Sequence, residues 1–576
     1  MLDVVLRGGT VIDGSGRPGG PADVGVRAGR VVAVGAVDEP ARRTLDVTDL
    51  VVAPGIVDPH THYDAQLCWD PTASPSSAHG VTTVLGGNCG FSLAPVDPAD
   101  ADYLRRLMAR VEGMSLGALE TGVDWSWRTF GEYLDRFEGR IAVNAGFLVG
   151  HCALRRAVLG ADASHRVATD TEVTAMQRLL GESLAAGGLG FSSSQSYTHS
   201  DGDGNPVPSR AASTDEVLAL CAEVRAHPGT VLEYITDGCL DGFSDDEVER
   251  LARMSHAARR PLNWNVLSVD ARAPDRVARQ LRASDRAAEL GGRVLALTMP
   301  TVGEMNMSFA TFCALWLLPG WAEVFALPVP ERIARLRDPA TRRALAAGAR
   351  SDAAGVIGRL AGWGGYVIGD TFAAANAGCT GRTVADLAAE RGADEFDTLL
   401  DLVIADDLRT VLWPRPTDDD EASWRLRATL WEDPRVLLGG SDAGAHLDRM
   451  CAAPYPTAFL ADCLRGRRLV PVETAVRLMT AAPAEQFGLV DRGRVAVGAA
   501  ADLVVFDPAT VAAGPARSVA DLPGGGRRLV ADPIGVPHVL VAGVEIVADG
   551  VPTDARPGTV LRSGVHTATV AVPAGP

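Results

Sequence analysis

The sequence predicts an α/β protein: a (β/α)8 barrel of the TIM-like kind, joined to a small β-domain built from both chain termini. Three observations carry this. Through the middle of the chain, short apolar runs bounded by Gly or Pro alternate with longer stretches rich in Ala, Leu, Arg and Glu that read as helices. Eight such runs can be found, at 55–60, 81–87, 141–149, 187–193, 230–236, 261–267, 293–299 and 435–440. Strand-like alternation with turn signals is concentrated at the two ends.

Residues 1–53 form short alternating runs, DVVLRGGTVID and ADVGVRAGRVVAVG, and similar runs return as ADLVVFDP and HVLVAGVEIVADG within 490–576. Isolated short strands cannot bury a face, so the two ends are expected to pair into one domain. Residues 54–489 are assigned to the barrel, whose site lies at the C-terminal ends of its strands. The gap between the seventh and eighth runs is far longer than one helix needs, so about 300–434 is expected to be a helical insertion, with a lid or substrate wall as its use.

Composition narrows the function. The net charge of -18 and the absence of a basic cluster exclude a nucleic-acid partner. The first apolar stretch is too short for a secretory signal, and the best membrane candidate, 311–330, is broken by Pro319, Gly320 and Glu323. Nine cysteines with no CxxC pair fit reduced thiols. The reading is a cytoplasmic protein with a small-molecule substrate and no membrane partner. All 54 basic residues are arginine, which removes any Schiff-base lysine, carbamylated bridging lysine or P-loop.

In PGIVDPHTHYD, period-two geometry points His60 and His62 to one side at a strand end, where two imidazoles suit one divalent ion. In GVTTVLGGNCGFSLAP a glycine-rich turn projects Cys89. A thiolate there is a good zinc ligand, although free cysteines are more often small buried hydrophobes. In VLLGGSDAGAH the last strand brings Asp442 and His446 to the mouth, where a carboxylate can ligate a metal and take a proton from water. His151 follows the third strand and is a pocket candidate, with Arg155 one turn on as a carboxylate clamp.

Together with GHCALR, GGLGFSSS, GGSDAGAH, DRGRVAVGAAADLVVFDP and HVLVAGVEIVADG, these motifs resemble the D-aminoacylase (N-acyl-D-amino-acid deacylase) family of the amidohydrolase superfamily over nearly the whole chain. The resemblance implies that His60 and His62 are metal ligands, Cys89 a zinc-binding cysteine and Asp442 the metal-linked base. It implies one or two zinc ions, with another divalent metal as the alternative, and hydrolysis of the amide of an N-acyl-D-amino acid or a related cyclic amide. The chain also departs from the family. Histidines usual after the fifth and sixth strands are missing from TVLEYITDG and LNWNVLSVD, which offer Glu233 as a substitute ligand and Asn265 as a ligand or substrate contact. Two other readings stay open: a barrel rebuilt for elimination, decarboxylation or isomerisation with Glu233 as acid/base, and a catalytically silent barrel that binds a small molecule.

Overall fold

The computed structural model describes residues 1–311 and 313–573. Position 312, within the expected insertion, and 574–576, at the end of the expected β-domain segment, lie outside the described residues. The chain forms two compact units, Met1–Thr301 with Ala422–Pro576, and Val302–Glu421.

In the first unit eight parallel strands alternate with helices. They are β1 (Ile56–Asp58), β2 (Val81–Gly86), β3 (Asn144–Phe147, resuming at Val149–Gly150), β4 (Gly190–Gln195), β5 (Val231–Thr236), β6 (Pro261–Trp264), β7 (Arg293–Thr298) and β8 (Val436–Leu438). Each lies in or overlaps an expected run. The ladders run in sequence order from β1 to the first half of β3 and from its second half to β8. Leu148, at the break in β3, still ties its neighbours, because its N–H donates to Gly86 O at 2.9 Å.

Every residue of β1 and β2 is buried, as expected where a parallel sheet is covered on both faces. Val57, Leu85, Leu148, Leu189, Val231, Leu295 and Leu437 pack into one core with Phe487 and Leu489. Beyond the last apolar residues the strands turn polar at their C-terminal ends, and this places the chemistry there. The helices start on local signals. Ser244 and Glu247 form a reciprocal capping box at the head of Asp245–Ala258, satisfying main-chain donors that the helix cannot.

The two ends of the chain share a seven-stranded sheet. Val51–Pro54 pairs with Leu503–Phe506, which in turn pairs with His538–Val541. A four-stranded sheet of Leu2–Arg7, Asp23–Arg27, Arg30–Gly35 and Ala41–Asp46 contributes to the same core, where Val4, Leu6 and Val24 meet Val52, Leu503 and Leu540. One part of the C-terminal stretch behaves differently. Val560–Leu561, expected in the β-domain, instead pairs in parallel with β3 and covers an edge that would otherwise expose unpaired main-chain groups.

The second unit has its own core, in which Trp321 and Trp363 stack with centroids 5.5 Å apart beside Phe325 and Phe396. Its helices include Val329–Arg337, Pro339–Ala349, Val384–Arg391 and Glu395–Ala405, with a ribbon of Val367–Ile368 and Leu412–Trp413. Among the described residues, no helix is long and apolar enough to cross a membrane.

His79 shows how the first unit is fastened. It ends the turn before β2, and its ring nitrogens meet Thr457 Oγ1 at 2.7 Å and Ala531 O at 2.9 Å. Burial lowers its pKa from 6.5 to about 4. The unfolded chain therefore binds a proton at a pH where the fold still holds neutral imidazole, so this stabilisation is whole above about pH 6.5 and is lost as pH falls towards 4. Urea denaturation across that window is expected to show wild type losing up to about 3 kcal/mol more than His79→Gln. Parallel pH profiles for the two proteins would remove His79 from the account.

Candidate metal centre

The main chain that follows β1 is no longer strand but is still tied on both sides. Thr61 N–H donates to Leu85 O at 2.9 Å on one side, and His62 N–H donates to Ala443 O at 2.7 Å on the other. His60 O accepts from Asp442 N at 3.1 Å. Asp58 adds a clasp, taking the Ser441 N–H at 3.2 Å and the Ser441 hydroxyl. This seam presses the loop after β8 against PHTH, and glycines make the approach feasible. A Cβ on Gly444 would lie 2.4 Å from His62 O, and one on Gly439 would lie 2.7 Å from Pro59 Cδ. The alternation turns both imidazoles to one side, with ring centroids 5.2 Å apart.

The loop after β2 delivers the thiol. Asn88 Nδ2 donates to Thr61 O and Leu85 O, while Gly90 N–H donates to Ser192 Oγ on β4 at 3.0 Å. Cys89 is held between them at φ 55°. Its Sγ is 3.6 Å from His60 Nε2, its N–H donates to Glu233 Oε2 at 2.7 Å, and Asn265 Nδ2 donates to Sγ at 3.3 Å. Glu233 and Asn265, on β5 and just past β6, therefore do stand beside the cysteine.

Asp442 Oδ1 lies 3.0 Å from His62 Nε2 and 3.5 Å from His60 Nε2, while Oδ2 faces His446 Nε2 at 3.7 Å. Three non-glycine residues of this centre, Cys89, Asp442 and His446, have left-handed backbones with φ of 55°, 58° and 49°. Such conformations are costly and persist where surrounding contacts impose them. Burial alone would raise the Asp442 pKa, but hydrogen bonds with His60 and His62 hold it well below the usual carboxylate range. Burial pulls the His62 imidazole down, yet the carboxylates of Glu112 and Asp442 more than offset this and bring it to about 10. Burial also pushes the Cys89 thiol and the Glu233 carboxyl up.

Two expected pocket residues are elsewhere employed. His151 is fully buried, with Nδ1 2.8 Å from Ser193 Oγ and Nε2 2.9 Å from Glu216 Oε1. Arg155 is equally buried. Its Nη1 contacts both Glu216 oxygens at 2.5 Å, Nε donates to Ala163 O and Nη2 donates to Arg166 O. A guanidinium engaged in this way has no fork to offer a substrate carboxylate, so the clamp assignment is corrected to a structural one and His151 leaves the pocket with it.

Sequence reasoning missed Glu112. It follows the helix Ala101–Val111 as its C-cap and is 3% exposed, with Oε2 3.5 Å from His62 Nε2. The available signal was an acid at a helix C-terminus, where the helix dipole disfavours negative charge. His199 also joins the rim. Its Nδ1 is 2.7 Å from Ser194 Oγ, and burial, reinforced by the positive charge of His446 and His62, lowers its pKa to about 3.

The donor set suits a divalent cation. Ligand atoms of His60, His62 and Cys89 lie within 4.8 Å of one another, and so do those of His62, Glu112 and Asp442. Glu233 Oε1 and Asn265 Oδ1 are buried with no hydrogen-bond partner among the described residues. Orphaned buried polar atoms are rare, and here they adjoin several acidic groups that a cation would neutralise.

Residues 43–547 match the amidohydrolase family model. A D-aminoacylase of Alcaligenes xylosoxydans xylosoxydans is 30% identical over 529 residues, covering 89% of each chain. Among solved structures, a D-aminoacylase described as having a binuclear metal centre is 28% identical with a TM-score of 0.62, over 98% of this chain and 100% of that one. The N-acyl-D-glutamate deacylase of Bordetella bronchiseptica, complexed with zinc and a phosphonate inhibitor, is 26% identical with a TM-score of 0.64 over the same shares. The fold is thus a TIM-barrel-type domain with an extra domain. Arg155→Ala is expected to cost about 3–5 kcal/mol in denaturant unfolding, since it takes the guanidinium from the buried Glu216 carboxylate and leaves it only His151, while turnover per folded molecule stays within a few-fold of wild type. A normal stability with a raised KM would restore the clamp.

Proposed function

The chain belongs to the amidohydrolase family, and on that premise we propose that it is a cytoplasmic zinc enzyme that hydrolyses N-acyl-D-amino acids within a closed (β/α)8 barrel. In coarser terms it is a metal-dependent hydrolase of carbon–nitrogen amide bonds in small molecules. The observation that carries the finer reading is the convergence of His60, His62, Cys89 and Asp442 at the strand ends, with matching relatives across the chain. His60, His62 and Cys89 would hold the ion, with Glu233 beside the thiol as a further oxygen donor. When bound, a divalent ion supplies Lewis acidity towards the amide carbonyl and lowers the pKa of nearby water.

The chain's own residues divide the remaining work. Asp442 keeps its charge because both imidazoles face Oδ1. Its Oδ2 is turned towards His446 and is the atom that accepts a proton from the attacking water and returns it to the leaving nitrogen. His446 faces that oxygen, and Asn265, whose amide nitrogen is tied to Cys89, keeps Oδ1 buried with no hydrogen-bond partner among the described residues. Glu233 fixes the Cys89 main chain, so the thiol stays aimed at His60.

Elemental analysis of purified protein is expected to find zinc that is lost in His60→Ala and Cys89→Ala, and full occupancy in both variants would refute the site. Asp442→Asn should keep the ion held by His60, His62 and Cys89, yet lower kcat by ~10²–10⁴. In an assay of N-acetyl-D-amino acids against their L-enantiomers, inactivity on the whole D series would overturn the substrate assignment. Labelled solvent oxygen in the released carboxylate separates hydrolysis from a lyase or isomerase reaction.

A further inference from the structure

We propose that His199 and Arg210, both on the loop after β4, bind the free carboxylate of the substrate and so select N-acyl amino acids over amides that lack one. The inference rests on the hydrolase reading above and deepens it, because it assigns the part of the substrate that lies beyond the scissile bond.

The loop is tied down at both ends and at its tip. Ser209 Oγ donates to Ser194 O at 2.6 Å, which returns the far end of the loop to the strand. Asp201 is buried, and its Oδ1 accepts the N–H groups of Asp203 and Asn205 at 3.0 and 2.9 Å. His199 is held between these points, with its ring centroid 5.2 Å from that of Phe91 in the segment that follows the Cys89 turn.

Ser194 fixes the tautomer of that ring. Its oxygen accepts the Ser196 N–H at 3.3 Å, and among the described residues the acceptor for its own hydrogen is His199 Nδ1 at 2.7 Å. A neutral imidazole that accepts at Nδ1 carries its proton at Nε2. Burial, aided by nearby charge that includes Arg210, keeps the ring neutral with a pKa of about 3. His199 therefore has one N–H to give, and Nε2 has no hydrogen-bond partner among the described residues.

Arg210 stands beside this donor with its charge unanswered. It is half-buried, and Nη1 donates to Tyr197 O and His199 O through long contacts of 3.4 Å. Among the described residues Nε and Nη2 have no partner, and no carboxylate pairs with the guanidinium. A partly desolvated cation next to an unused N–H calls for an anionic oxygen ligand, and a guanidinium suits a carboxylate best. The carboxylate of an N-acyl amino acid supplies that group.

The test compares N-acetyl-D-amino acids with their carboxamides, using zinc-loaded wild type, His199→Phe and Arg210→Met. Wild type is expected to favour the acid by roughly tenfold or more in kcat/KM. His199→Phe keeps an aromatic ring beside Phe91 but has no N–H, and Arg210→Met removes the charge. Each variant should raise KM for the acid by about tenfold while kcat stays within about threefold, so that the preference over the carboxamide collapses. Zinc content equal to wild type reports that a variant has folded, and Arg210→Met decides the test if His199→Phe fails to hold zinc. A wild-type preference that survives in the folded variants, an equal loss on acid and carboxamide, or no preference in wild type overturns this proposal alone. Wild type inactive on both compounds overturns the reading beneath it as well.

Discussion

The candidate site depends on the seam between the first and last barrel strands. Asp58 takes the Ser441 N–H, His60 O accepts from Asp442 N, and His62 N–H donates to Ala443 O. None of the ligand distances at Asp442 would survive a slip here, because one residue of register would turn His60 and His62 to the other face. The glycines at 439 and 444 let the two backbones meet with no side chain between them. Burial pushes the Asp58 pKa up to about 6, against the pull of its hydrogen bonds to Ser441 and His60. The clasp is therefore strongest when Asp58 is ionised, which ties the geometry of the centre to a carboxylate bonded to Ser441 and the His60 main chain.

The centre holds an unusual balance of charge. A lysine-free chain cannot bridge metals with a carbamate, and Glu233 on β5 and Asn265 just past β6 stand beside Cys89. Cys89 supplies a sulfur close to His60, and Glu112 supplies an oxygen close to His62. The side chains gathered here thus offer anionic oxygen and sulfur beside the two imidazoles. Such a set favours cations over protons only while the imidazoles remain neutral, so metal binding and proton release are coupled here.

Much of the barrel could be read from the sequence, because parallel strands covered on both faces leave continuous apolar runs bounded by turn residues. β1, β2 and β8 were visible in this way, and so were the candidate residues His60, His62, Cys89 and Asp442 just past their ends. The serine-rich β4 was legible only through its glycines and its spacing, since Ser192 and Ser193 point to partners that lie far away in sequence. Position after a strand does not reveal direction. Arg155 sits one turn into a helix and turns towards Glu216 at the head of helix Thr214–Val224. Glu112 was hidden for the converse reason: it ends a helix of ordinary amphipathic pattern, and its meaning depends on a loop that arrives after β8.

The left-handed residues Cys89, Asp442 and His446 bear on how such a site persists. Each holds a conformation that costs of order 1–3 kcal/mol and that glycine adopts without strain. Loss of function at these positions is therefore rewarded locally with a more relaxed backbone. In a lineage no longer selected for turnover, the chemistry would erode before the barrel did, leaving a sturdier and silent descendant. The same strain makes these three positions the ones where a change to glycine would relax the backbone while removing the side chains gathered here.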